Sequence, residues 1–124
     1  MGRNRFLLLI DDDREICEIV RAALEFEGFS VRTAHDAASG LRAANSETAL
    51  VLLDVRMPGL EAREFARQYR ARYGPGAPVF VFSAWRYAAD FAQSIGAAGV
   101  LNKPFDLDDL IALAAQHLDV AESA

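Results

Sequence analysis

Short apolar runs alternate along this chain with longer stretches in which apolar residues recur every three or four positions. The runs read as buried strands and the stretches as amphipathic helices. The first strand is predicted over residues 5–10 (RFLLLI). A helix follows over residues 14–27, with Ile16, Val20, Ala23 and Leu24 on one face. Asp12 and Glu15 have capping-box spacing at its start, and Gly28 is a natural stop. Residues 29–33 form a second strand that alternates as an edge strand does, and Asp36 caps a short helix running to Asn45. Residues 49–53 are apolar throughout, which predicts a central strand covered on both faces. A loop over 54–59 leads to a helix over 60–73, with Phe65, Ala66 and Tyr69 facing inward, broken by Gly74-Pro75-Gly76. A fourth strand at 79–82, a helix at 85–95 with Ala88, Phe91, Ala92 and Ile95 on one side, a fifth strand at 99–101 and a last helix at 106–118 complete the series. Strict strand–helix alternation argues for an α/β fold: a parallel sheet with helices on both faces.

Composition narrows the class without naming a function. The chain has 124 residues, which fits one domain, with a core expected over 5–118 and frayed residues after it. Hydrophobic residues make up 52% and charged residues 25%, enough apolar material for a single core. A formal net charge of −5 argues against direct nucleic-acid binding. No apolar run approaches the roughly 20 residues of a membrane helix. The run from Phe6 to Ile10 is too short for a signal-peptide core and is followed at once by three aspartates. Cys17, the single cysteine, permits no internal disulfide. The expectation is a cytoplasmic protein, monomeric or weakly dimeric.

The polar residues carry the chemistry. Strand one ends in Asp11-Asp12-Asp13, strand three in Asp54, strand four in Ser83 and strand five in Asn102-Lys103. In open α/β sheets, sites form at the carboxyl ends of the strands, where the strand order reverses. If strands one and three are neighbours, Asp11, Asp12 and Asp54 converge. Converging carboxylates repel one another unless something positive joins them, and an all-oxygen set suits a hard cation such as Mg2+. Lys103 supplies a flexible positive group and Ser83 a hydroxyl donor. Together they make a site for a carboxylate nucleophile attacking a phosphoryl group.

At these residues the chain resembles the receiver domain of bacterial two-component response regulators, chemotaxis regulators among them, over roughly Arg5 to Leu118. The resemblance is carried by LLLIDDD (7–13), LVLLDVRMPG (50–59), VFVFSA (79–84) and VLNKPF (100–105), in that order and spacing. It implies a flavodoxin-like fold with strand order 2-1-3-4-5. It makes Asp54 the phosphoacceptor, Asp12 the direct Mg2+ ligand, Asp11 a ligand through water, and the Arg56 carbonyl a further ligand. It gives Ser83 and Lys103 the task of holding the phosphoryl group, with a cis bond between Lys103 and Pro104. A histidine kinase or histidine phosphotransfer protein is the implied donor, and the domain assists its own phosphorylation and dephosphorylation rather than acting as an enzyme on other substrates.

Three positions and the length of one stretch depart from the family pattern. Val100 stands where many members carry a switching Tyr or Phe. The stretch from Ser83 to Lys103 is slightly short, so a short or displaced fourth helix is expected. Ala62 replaces a frequent glycine, and Trp85 occupies a rim position where smaller residues are usual.

Plainer readings stand beside these. Aspartates after a strand cap helices, which suffices for Asp13, whereas three in a row exceed what a cap needs. Ser83 could merely satisfy a turn. The Arg56 side chain is either a solvated loop arginine or a cover over the phosphoryl group. Trp85 is either a packed aromatic or part of a shielding or partner surface. Cys17 reads as core, and His35 and His117 as surface residues without ligand spacing. Rival functions are a pseudo-receiver that binds partners without phosphorylation, a small aspartyl-phosphate phosphatase, and a flavodoxin-like cofactor binder. The last is opposed by three aspartates where a phosphate loop would lie. The chain is either a stand-alone regulator or one domain of a longer protein.

Overall fold

The computed structural model describes residues 5–55, 60–74 and 76–118. Five strands and five helices alternate: β1 Phe6–Ile10, α1 Arg14–Phe26, β2 Val31–Ala34, α2 Ala37–Ala43, β3 Thr48–Asp54, α3 Leu60–Tyr73, β4 Val79–Ser83, α4 Ala88–Ser94, β5 Gly99–Asn102 and α5 Leu107–His117. The strands form one parallel sheet in the order β2-β1-β3-β4-β5. Parallel neighbours need crossover helices, and these cover both faces. Successive strand residues therefore point into different cores. Phe6, Leu8, Ile10, Val51, Leu53 and Val81 meet residues of α2, α3 and α4. Leu7, Leu9, Leu50, Leu52 and Phe82 meet Cys17, Val20 and Leu24 of α1 and Leu110 and Ala114 of α5. β1 and β3 lie in the middle, apolar and buried along nearly their whole length, as their unbroken hydrophobic runs predict.

Two glycines fix the frame, one at each end of the sheet. Gly28 takes a φ of 95°, which a side chain resists, and ends α1. Its amide bonds Glu25 O while the Phe29 amide returns to Leu24 O, so the last carbonyls of α1 are satisfied. Gly40 is buried on α2 against the Ile10 side chain, where a Cβ would collide. Its missing side chain lets α2 close on β1.

Several boundaries differ from the sequence expectation. α1 is capped by Asp13, whose carboxylate accepts from the amides of Glu15 and Ile16, and not by Asp12. β2 starts at Val31 and ends at Ala34, because the α1 stop consumes Phe29. α2 ends at Ala43. α4 starts at Ala88 rather than Trp85, because residues 85–88 form a separate turn closed by the Ala88 amide on Trp85 O, while Trp85 N bonds the Ser83 hydroxyl. The result is a fourth helix of only seven residues, short as expected. β3, β4 and β5 each run one residue further than the apolar pattern suggests, so Asp54, Ser83 and Asn102 belong to the strands themselves.

Candidate functional site

Register brings the polar strand ends level. Ile10 pairs with Leu53, Asp54 with Phe82, and Ser83 with Asn102. The residue after Ile10 therefore sits beside Asp54. Asp11 is 1% exposed, Asp12 is exposed and Asp54 half-buried, and one carboxylate oxygen from each lies within 4.8 Å of the others. Lys103, at the end of β5, reaches across to both. Its Nζ is 2.8 Å from Asp11 Oδ2 and 2.9 Å from Asp54 Oδ1. Burial works against its ammonium, but the hydrogen bonds and charges of Asp11 and Asp54 outweigh it, so the Lys103 pKa ends above its ordinary value. Its amide bonds Ser83 O and a cis peptide joins it to Pro104, as expected.

Asp11 is held at every polar group. Its amide donates to Ala34 O, and its Oδ1 accepts from the Asp13 amide at 2.9 Å. Its carbonyl accepts from Cys17 Sγ at 3.4 Å and lies 3.2 Å from His35 Nδ1. Burial, with the nearby Asp11 and Asp13 charges, pushes the Cys17 thiol up to about 11, so it stays protonated and remains a donor. Ser83 is buried, and its hydroxyl donates to Val55 O at 2.9 Å while accepting from Trp85 N at 2.9 Å. Trp85 is half-buried and packs edge-on against Tyr87 and tilted against Phe91.

A family model of the response regulator receiver domain matches residues 7–115. The chain belongs to this family. Response regulator MprA of Mycobacterium sp. (strain KMS) is 38% identical over 109 residues, a stretch covering 86% of this chain and 47% of that relative. The receiver domain thus spans about half the length of the curated relatives it matches. Among solved structures, the receiver domain of NtrX from Brucella abortus is 33% identical with a TM-score of 0.77, covering 89% of this chain and 95% of that one. A CheY-like response regulator receiver domain protein from Methanospirillum hungatei is 27% identical with a TM-score of 0.78, covering 90% and 91%. The flavodoxin-like order 2-1-3-4-5 expected from the motifs is the order observed.

Of the residues singled out in the sequence, Asp11, Asp12, Asp54 and Lys103 come together and Ser83 lies one strand away. Arg56 lies outside the described residues. Among the described residues no helix is long and apolar enough to cross a membrane. His35, expected as a surface residue, is half-buried against the Asp11 carbonyl, and Cys17 is both core and donor. The signal for His35 was available: it directly follows Ala34, the last residue of β2, and so lies at a strand's carboxyl end like the others.

The donor set fits a hard divalent cation. Three carboxylates gather around the Lys103 ammonium, which bonds Asp11 and Asp54, and the exposed Asp12 opens the cluster to solvent.

Proposed function

We propose that this receiver domain accepts a phosphoryl group on Asp54, with Mg2+ held by Asp12, by Asp54, through water by Asp11 and by the Arg56 carbonyl. The observation that carries this reading is the Lys103 ammonium seated between Asp11 and Asp54, with Asp12 alongside. The donor is a phosphohistidine on a histidine kinase or histidine phosphotransfer protein. An Asp54 carboxylate oxygen attacks phosphorus in line, the phosphorus–nitrogen bond breaks, and the imidazole leaves with the electron pair. A cation held by these carboxylates would neutralise phosphoryl charge during transfer. Lys103 Nζ exchanges its bond to Asp54 for one to a phosphoryl oxygen while keeping Asp11, which prevents its swinging away. Ser83 turns its hydroxyl hydrogen from Val55 O to a second phosphoryl oxygen. Preplaced donors of this kind stabilise the charge that builds in the transition state. Water later attacks the acyl phosphate and releases phosphate.

The domain extends over the whole described core, acts in the cytoplasm as a monomer or weak dimer, and changes partner binding when loaded. Incubation with Mg2+ and a small acyl-phosphate donor adds one phosphoryl mass to the wild type and none to Asp54→Ala. No addition to the wild type, or equal addition to Asp54→Ala, overturns the reading.

A further inference from the structure

We infer that His35, with the Cys17 thiol beneath it, is a positioning residue that fixes the peptide plane between Asp11 and Asp12 and so aims Asp12 at the cation site. The inference rests on the proposed phosphoacceptor reading and adds to it two residues outside the aspartate, serine and lysine set. Its basis is the Asp11 carbonyl. A carbonyl oxygen only accepts, so the His35 Nδ1 lying 3.2 Å from it carries the hydrogen. Cys17 Sγ approaches the same oxygen at 3.4 Å, and the two donors stand 3.9 Å apart. They occupy both lone pairs of one buried oxygen. That oxygen belongs to the same rigid peptide unit as the Asp12 amide. Fixing its direction fixes where the Asp12 Cα, and with it the carboxylate, departs from the strand.

Three elements meet at this oxygen. β1 supplies Asp11, α1 supplies Cys17, and the turn after the edge strand β2 supplies His35. The Asp11 amide bonds Ala34 O, which brings the next residue, His35, over the end of β1. Asp11 needs little further anchoring for its own carboxylate, since Lys103 and the Asp13 amide already hold it. Asp12 is the exposed member of the cluster, and its launch angle depends on the peptide behind it. Groups that orient ligands from behind in this way change metal affinity by about 10-fold to 100-fold when removed.

The test is a titration of the 15N-labelled protein with MgCl2 alone, followed at the Asp13 amide, beside thermal melts without metal. Asn places an amide N–H near the Nδ1 position, whereas Gln places it near Nε2. His35→Asn is expected to bind Mg2+ within about 3-fold of the wild type, and His35→Gln and His35→Leu about 10-fold more weakly. Cys17→Ala, which removes the weaker donor, falls between them. The Asn and Gln variants are alike in polarity and keep the comparison available if His35→Leu fails to fold. Equal affinities for His35→Asn and His35→Gln, with both folded, overturn the inference while leaving the phosphoacceptor reading intact. A wild type with no saturable Mg2+ response overturns the metal reading itself and this assignment with it.

Discussion

At the carboxyl ends of β1 and β3, charged side chains gather around Asp11, which is held at every polar atom. At the end of β4, one strand over from β3, the groups are neutral and the packing is partial. Asp11 has partners for its amide, carbonyl and both carboxylate oxygens. Ser83 has one donor and one acceptor, both backbone, and its neighbours Trp85, Tyr87 and Val100 are half-buried or exposed. α4 beside it has no side-chain cap at its first turn. At its other end α3 grips it: Arg70 donates to Ile95 O and Gly96 O, and Arg63 to Ser94 Oγ. A site that must stabilise charge is built stiff, because reorganisation during transfer costs rate. α4 is thus held at its carboxyl end by side chains of α3, while its start carries no side-chain cap.

The largest effect is expected from breaking the stiff region. Lys103→Met leaves the fully buried Asp11 carboxylate facing Asp54 and Asp12 without its cation. Removing one partner of a buried pair costs about 3 kcal/mol or more. Urea unfolding at neutral pH with chelator present should show that loss, and added Mg2+ should restore part of it. Lys103 is held protonated above its ordinary pKa, so its pairing contributes fully below that ordinary value and is lost only as pH rises through the raised one. The wild type should therefore keep this contribution throughout the neutral range. A Lys103→Met variant as stable as the wild type without Mg2+ would remove the electrostatic contrast between the two regions.

A smaller effect is expected at the grip on α4. Arg70→Ala removes hydrogen bonds to the carbonyls of Ile95 and Gly96 from an exposed side chain, a change of about 1 kcal/mol. Hydrogen exchange should rise in α4 and stay unchanged in β1 and β3. Exchange that rises equally in all three would mean the edge is not an independent unit.

The two regions also differed in how far the sequence disclosed them. Asp11, Asp12, Asp54 and Lys103 could be read because each follows an apolar strand, and a parallel sheet in this order must bring those ends together. Position along a strand is a local property, and convergence then follows from topology. What escaped depended on side-chain competition. Asp13 took the α1 cap because its carboxylate reaches two amides, while Asp11 and Asp12 face the cluster. α4 gave up its first residues to a turn that the Ala88 amide closes on Trp85 O. For His35, the neighbour across the sheet, and not metal-ligand spacing, decides what it touches.

The smallest energetic effect concerns Trp85. Its amide is bonded to Ser83 Oγ, its ring lies against Phe91 of α4, and Val100 offers no ring to share the role. If the Ser83 side chain follows its hydroxyl hydrogen toward a phosphoryl oxygen, Oγ moves away from Trp85 N, and the ring is expected to shift with the loosely started helix. Tryptophan fluorescence should therefore change when Mg2+ and a stable phosphoryl mimic are added together. Ser83→Ala should abolish that change while shifting stability only modestly, by about 1 kcal/mol for one hydrogen-bonding side chain. Val100→Tyr, at a half-buried edge position, should shift stability by about 0.5 kcal/mol and leave the Trp85 signal in place. A signal that survives Ser83→Ala would mean that Trp85 senses the charge at Asp54 directly, and the edge would then be a bystander to the site rather than its reporter.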